Sequence, residues 1–301
     1  MKTIQLHNQR FDEALQAFIQ RKKDEGKSKS HITSVGNHSK EFLCFLEQKE
    51  VYLLKKITQT NIDDYFQYLS ARKNQRKTGG LSSAYINKHR EAVLRFMEYL
   101  YQCDIGKSPF HVRTLNTSNK SKEVLTQQEI KLLFSLCEPT FEGIRNKAIL
   151  SMLYGCGMRK SELHRLNVND INMLNDTVRI VKTKNTWQRD IPMSPSVRKN
   201  IEDYLYTVRN YLIRPNKETD AFLITNIGAR MSKESIHSKI KKMEEVSNIQ
   251  KPISAHQLRH AIATHLLEEF TLDEIALFLG HRSIDSSQIY THYKYTKTPT
   301  P

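Results

Sequence analysis

Six side chains in the C-terminal half of this chain are of the types that phosphodiester transfer needs. They fall in five short pieces: Arg159 in GMRKSEL, a lysine (Lys182 or Lys184) in VRIVKTKNTWQRDIP, His256 and Arg259 in SAHQLRH, His281 in LGH, and Tyr290 in SSQIYTHY. A phosphodiester is an anion, so an approaching nucleophile meets a charge that must first be neutralised. More charge gathers on the non-bridging oxygens in the transition state. Arginine suits that task because its planar fork grips phosphate oxygens two at a time. Histidines add donors or shuttle a proton. A lysine can protonate a departing 5′ oxygen, and a tyrosine can attack phosphorus and hold the phosphate covalently. The set contains no carboxylate pair and no metal-ligand pattern, so the sequence predicts catalysis without metal or cofactor.

Spacing refines the picture. His256 and Arg259 are three apart, on one face of a helix, and can reach one phosphate. His256 and His260 are four apart, a spacing that zinc sites use, but Gln257 stands where such a motif carries its glutamate and no third ligand is evident. His260 and His265 are therefore expected to pack or hydrogen-bond inside the domain. Arg159 follows Gly155-Cys156-Gly157, a break after the apolar run AILSMLY. That places it near a helix start, where backbone amides also favour anions. The competing reading is a surface arginine paired with Glu162. Gly280 is expected to end the helix of LDEIALFLG in a left-handed turn, which would aim His281 inward or leave it as a capping residue.

These pieces, in this order, resemble the tyrosine recombinase (phage integrase) family, most closely its Xer-type branch. Arg159 with Glu162 three residues on, the His256-x-x-Arg259 box, Leu279-Gly280-His281 and Tyr290 nine residues later all match the family pattern, and 254–293 resembles it almost throughout. The resemblance implies that Arg159, His256, Arg259 and His281 bind and stabilise the transferring phosphate. Aligned on Arg189 and Pro192, Lys184 falls on the family's turn lysine, the general acid, and Lys182 becomes a phosphate contact or a solvated strand residue. The spacing from His281 makes Tyr290 the nucleophile, leaving Tyr293 and Tyr295 as packing residues. The implied activity is site-specific recombination through a 3′-phosphotyrosyl link, in integration, excision or dimer resolution. Four protomers would act on two DNA duplexes. Two rivals remain: a type IB topoisomerase, which reseals the same strand, and a catalytically silent DNA-binding protein. Two departures stand out. Phe270 occupies a position where relatives usually have glycine, and only eleven residues, THYKYTKTPTP, follow Tyr290. A short tail with two prolines predicts a free monomer that assembles only on DNA.

Composition agrees with a polyanionic partner. Of 301 residues, 47 are Lys or Arg and 32 Asp or Glu, a net charge of +15. The first 105 residues hold 18 basic against 12 acidic side chains and the remainder 29 against 20, so both parts are basic. Cys44, Cys103, Cys137 and Cys156 are scattered and read as reduced, mostly core thiols. The N-terminal MKTIQLHNQRFDEAL lacks the apolar stretch of a secretory leader, and no segment has the apolar length of a membrane span. A soluble, cytoplasmic protein with no membrane partner is expected.

The elements that must carry these residues are mainly helical. Apolar stripes at Phe11, Leu15, Phe18, Ile19; at Ile32, Val35, Phe42, Phe45, Leu46; at Ile62, Tyr65, Phe66, Leu69; and at Ile86, Val93, Phe96, Met97, Leu100 predict four helices. Thr60 or Asn61 is expected to cap the third, and Ser82 or Ser83 the fourth. The family resemblance makes this a SAM-like DNA-binding bundle over 1–105. Polar text over 106–123 reads as a linker, and the capping box Thr126…Glu129 opens a catalytic domain over 124–301. Within it TVRIVKTK and WQRDIPM alternate as a β-hairpin. Pro195 then opens a helix through Tyr211, and the rest is expected to be helical. The fold class is thus mainly α: a four-helix bundle, then a mostly helical domain with one small antiparallel sheet.

Overall fold

The computed structural model describes residues 5–74, 78–107, 110–116, 123–181, 188–213 and 219–280. The chain divides into two compact units, Met1–Lys120 and Ser121–Pro301.

Four helices build the first unit: α1 (Gln9–Asp24), α2 (Lys29–Gln48), α3 (Gln59–Ala71) and α4 (Ser83–Gln102). Each begins where a short polar side chain (Asn8, Ser28, Thr58, Ser82) accepts an orphan amide of the first turn. Helix α3 starts earlier than the sequence suggested. Thr58 is its cap, and Asn61 is the reciprocal partner in a capping box, a job usually given to Glu or Gln. The expected stripes meet in one core: Phe11, Phe18, Phe42, Leu46, Ile62, Leu69, Val93, Phe96 and Leu100 are fully buried. One polar cluster lies among them. The Tyr65 hydroxyl is 2.8 Å from His89 Nδ1, and the His38 ring sits 4.0 Å from that of His89. Burial, aided by the charges of His38 and Arg72, pushes His89 down to about 3, so the ring is neutral in the folded protein.

Part of the expected linker belongs to this unit. Phe110, Val112 and Leu115 pack against its core. Arg90 Nε donates to the Val112 carbonyl (2.6 Å), and Asn87 makes paired bonds with the Leu115 backbone (2.9 and 3.0 Å). Three apolar side chains within a polar stretch are enough to fasten it.

In the second unit the Thr126 box with Glu129 opens α5 (Gln127–Ser135), as the sequence indicates. Helix α6 (Phe141–Leu150) runs on into a π-helical turn, Ser151–Gly155, and α7 (Lys160–Arg165) follows. Strand β1 (Ile171–Asn172) adds an unforeseen edge to the hairpin of β2 (Thr177–Ile180) and β3 (Arg189–Pro192), giving an antiparallel β1-β2-β3 sheet. Val178 pairs with Ile191, both fully buried, and Ile180 with Arg189. Helix α8 (Pro195–Asp203) continues through a π-helical Tyr204–Arg209 into α9 (Asn210–Leu212).

The described residues after α9 are not all helical, contrary to the expectation from the sequence. Residues 219–232 are extended and turned: Ala221–Ile224 is a continuous buried run, and Gly228 turns the chain at φ 74°. Phe222 N bonds to the Leu166 carbonyl and Met231 N to that of Leu223. A run buried on all sides carries no period that separates strand from helix, which is why the sequence does not reveal that it is extended. Helices α10 (Lys233–Ser247), α11 (Ala255–Leu266) and α12 (Leu272–Leu279) complete the described residues. The turn before α12 needs no glycine at Phe270, because Thr271 and Glu274 close it with a capping box.

Candidate active site

Arg159 is the N-cap residue of α7, and its own backbone N–H donates to Glu162 Oε2 at 2.8 Å. Its side chain turns to the same carboxylate, with Nη1 to Oε1 at 2.9 Å, and its Nη2 reaches the Gly280 carbonyl at 3.4 Å. The Arg159–Glu162 pair foreseen as a surface alternative therefore exists, but its acid is no surface group. Glu162 is 6% exposed, whereas the Arg159 side chain keeps a third of its surface open. One face of the guanidinium can still receive an anion.

A single pair would not justify burying that carboxylate, since an ionised acid out of water costs several kcal/mol. Glu162 has three cationic neighbours. Arg189 grips it with both terminal nitrogens (Nη1–Oε1 3.2 Å, Nη2–Oε2 3.0 Å), and Arg259 Nη1 stands 4.0 Å from Oε2. Burial alone would raise the Glu162 pKa. The hydrogen bonds and charge of Arg189, then the amide and charge of Arg159, outweigh burial and hold the carboxyl below its ordinary value. Glu162 stays ionised and orients the guanidinium groups around it.

Arg259 lies in the second turn of α11, whose cap is Ser254. It is 4% exposed and donates to the carbonyls of Gly157 (2.5 Å) and Leu279 (2.7 Å). His256, one turn earlier, is exposed. Thus α11 presents the histidine outward and anchors the arginine inward beside Glu162. The other two histidines of this helix are held elsewhere: His260 Nδ1 lies 3.2 Å from Thr264 Oγ1, and His265 Nδ1 lies 2.9 Å from the Tyr154 hydroxyl. The latter bond ties α11 to the π-helical turn that delivers Arg159. No group of three His, Cys, Asp or Glu suited to a metal is found among the described residues.

Two glycines let these parts approach. Gly157 (φ 57°) has a carbonyl turned to Arg259, and a Cβ there would stand 2.8 Å from Leu279 Cδ2. Gly280 (φ 64°) ends α12 in the left-handed turn expected of it, and a Cβ would fall 2.7 Å from Arg189 Nη1. Lys184, with its rival Lys182, and His281 and Tyr290 lie outside the described residues. Gly280, whose carbonyl accepts from Arg159, is bonded directly to His281, and Arg189 is five residues from Lys184 in sequence.

Arg189 is the residue that sequence reasoning passed over, having served only to align the hairpin. A signal was present: in RDIPM the inward positions are Arg189, Ile191 and Met193, all buried, and a charge on the inward side of an alternating strand calls for a buried partner.

The mostly helical unit with one three-stranded sheet, and arginines gathered at a helix start, define a protein of the integrase fold, and comparison with known proteins agrees. Residues 123–297 match the phage integrase family, and the chain belongs to that family. It is 31% identical over 240 residues to the tyrosine recombinase XerD of Oceanobacillus iheyensis, spanning 79% of this chain and 78% of that one. It is 30% identical over 274 residues to the XerC of Natranaerobius thermophilus, spanning 88% and 89%. Among solved structures, the Tn1549 transposon integrase with a circular intermediate DNA superposes with TM-score 0.74 at 17% identity, covering 95% of this chain and 99% of that one. The XerH recombinase bound to palindromic difH gives 0.71 at 19%, covering 88% and 77%. The protein is a site-specific tyrosine recombinase of the Xer type, a DNA strand-exchange enzyme. Neither the topoisomerase reading nor the silent binding protein is favoured. No helix among the described residues is long and apolar enough to cross a membrane.

Proposed function

We propose that Tyr290 attacks a phosphate of duplex DNA, activated by Arg159, His256, Arg259 and His281, with Lys184 as general acid. The phenolic oxygen forms a bond to phosphorus as the bond to the 5′ oxygen breaks. Lys184 supplies the proton that the leaving oxygen needs, and His256 takes the proton that the phenol gives up. A 3′-phosphotyrosyl link and a free 5′ hydroxyl result. That hydroxyl then attacks the corresponding link of a partner duplex, so the bond energy is kept and no external energy source enters. A phenol with pKa about 10 is ionised about once in a thousand molecules at neutral pH, a deficit of about 4 kcal/mol that two nearby guanidinium groups can recover.

The observation that carries this reading is the convergence of Arg159 and Arg259 on Glu162, with the Gly280 and Leu279 carbonyls, just ahead of His281, bonded to the same two arginines. The first unit is read as a small basic bundle that also binds the duplex. Four protomers assemble on two duplexes in the cytoplasm, from a monomer kept apart by its positive charge until DNA neutralises it. Incubation with two differently labelled duplexes carrying the target site tests the reading. Recombinant strands, with a complex whose scattering mass corresponds to four protomers and two duplexes, are expected. Strands that are only nicked and resealed on their own duplex would refute it. A tetramer persisting in high salt without DNA would refute the assembly order.

A further inference from the structure

Arg189 has no part in the chemistry just described, yet it touches both the acid that holds Arg159 and the end of α12 that leads into His281. It starts β3 and is almost wholly buried, its side chain 6% exposed. Its Nη1 and Nη2 hold the two oxygens of Glu162, and its Nε donates to the Phe278 carbonyl of α12 at 3.0 Å. Its guanidinium lies against Gly280, which can have no side chain there. Glu162 in turn holds Arg159 by side chain and by backbone, and faces Arg259. One guanidinium thus joins the hairpin strand, the start of α7 and the end of α12 around one acid.

We infer that Arg189 is a positioning residue of the recombination reaction, which locks the β3 hairpin and the end of α12 to the carboxylate that orients Arg159. All three of its nitrogens are engaged by the protein, so it does not compete for the phosphate. The inference rests on the proposed roles of Arg159 and Lys184. Arginine is needed because only a fork can close on both carboxylate oxygens while a third nitrogen reaches a carbonyl on another helix. A lysine would keep the charge and lose the register.

The inference has a consequence that a purely structural ion pair lacks. The titratable and charged groups around Glu162 among the described residues are Arg159 before α7, Arg189 on β3 and Arg259 on α11, and the Cys156 thiol after the π-helical turn feels the charge of Arg189. Burial pushes that thiol up to about 12, so it stays neutral. With Arg189 removed, the acid keeps its burial and loses its largest favourable partner, so its pKa climbs. Once protonated, it no longer holds Arg159 by charge.

The test measures cleavage by the full chain on a nicked duplex that traps the covalent product, from about pH 5 to 8, in wild type, Arg189→Met, Arg189→Lys and Arg189→Met/Glu162→Gln. In Arg189→Met the ratio of variant to wild-type rate should fall as pH falls, approaching about tenfold per pH unit below the raised pKa. Histidine titrations are common to both enzymes and cancel in that ratio. The double variant has no acid to titrate, and its ratio should be flat. Arg189→Lys should also give a flat ratio, but at a rate about 10²-fold down, the scale of an ångström of misplacement. A flat ratio in Arg189→Met, or a full rate in Arg189→Lys, would overturn the inference. Should Arg189→Met fail to fold, the lysine variant decides alone. Arg159→Ala runs alongside: a normal rate there refutes the site reading itself, whereas its loss with a normal Arg189→Lys refutes only the inference.

Discussion

Replacing Glu162 by Gln removes one charge and almost no volume, and its cost can be worked from the site. Arg159 is a third open to solvent, and its share of the attraction is that of a surface pair, about 0–1 kcal/mol. Arg189 and Arg259, with side chains 6% and 5% exposed, cannot turn to water and are left facing a neutral amide. Breaking a buried pair from one side costs about 3–5 kcal/mol. The amide oxygen still accepts one bond from Arg189, so the lower end, about 3 kcal/mol, is expected. A domain's total stability is about 5–15 kcal/mol, so the second unit should still fold. Its urea midpoint should drop by about 1–3 M for a slope of about 1–3 kcal/mol per molar. Fluorescence of Trp187, the chain's sole tryptophan, can follow this transition. Cleavage should fall about 10²-fold at temperatures where the variant is folded, because Arg159 loses its orienting charge. An unchanged midpoint together with an unchanged rate would refute the claim that this acid organises the site.

The first unit should lose stability in mild acid. His89 is held at about 3, below an unfolded value of about 6.5, so the unfolded chain binds the extra proton and stability falls as pH drops through 6.5 toward 3. The slope is about 1.4 kcal/mol per pH unit from this ring, and His38, also lowered by burial, adds to it; urea melts of wild type and His89→Asn between pH 7 and 5 should show the slope shrinking in the variant, and equal slopes would refute it. Gly280→Ala should destabilise the second unit by more than the about 1–2 kcal/mol of a left-handed alanine, because its Cβ also displaces Arg189. A thermal melt matching wild type would contradict that contact. If Lys184 is the general acid, Lys184→Ala should slow cleavage of an ordinary 5′ oxygen but not of a 5′-bridging sulfur, a leaving group that needs little protonation. Equal slowing on both substrates would make Lys184 a phosphate contact, and sulfur rescue in Lys182→Ala instead would transfer the role to Lys182.

What the sequence disclosed follows from which signals are local. Helix stripes and caps depend on neighbours a turn away, so the four-helix bundle and the Thr126 box were legible; the early α3 start at Thr58 was not, because Asn61 is an unusual capping-box partner. The extended run at 221–224 was hidden, because burial on every side erases periodicity. The packing of 110–115 on the first unit was likewise hidden within polar text. In the site, Arg159, His256 and Arg259 stood out by type and spacing. The role of Glu162 as a shared anchor did not, since its partners lie 27 and 97 residues away in sequence and only the fold joins them. Arg189 was visible only as an inward charge on a strand. The left-handed Gly280 was readable because a helix end prefers glycine there; its contact with Arg189 was not.

The most direct test of the account is to trap the covalent intermediate. Wild-type protein incubated with a nicked duplex bearing its site should yield a denaturant-resistant adduct whose DNA-linked peptide contains Tyr290. Tyr290→Phe should yield none while binding the duplex nearly as well, because it loses one hydroxyl and no positive charge, and phosphate contacts dominate affinity. A normal adduct from Tyr290→Phe, or one mapped to Tyr293 or Tyr295, would contradict it.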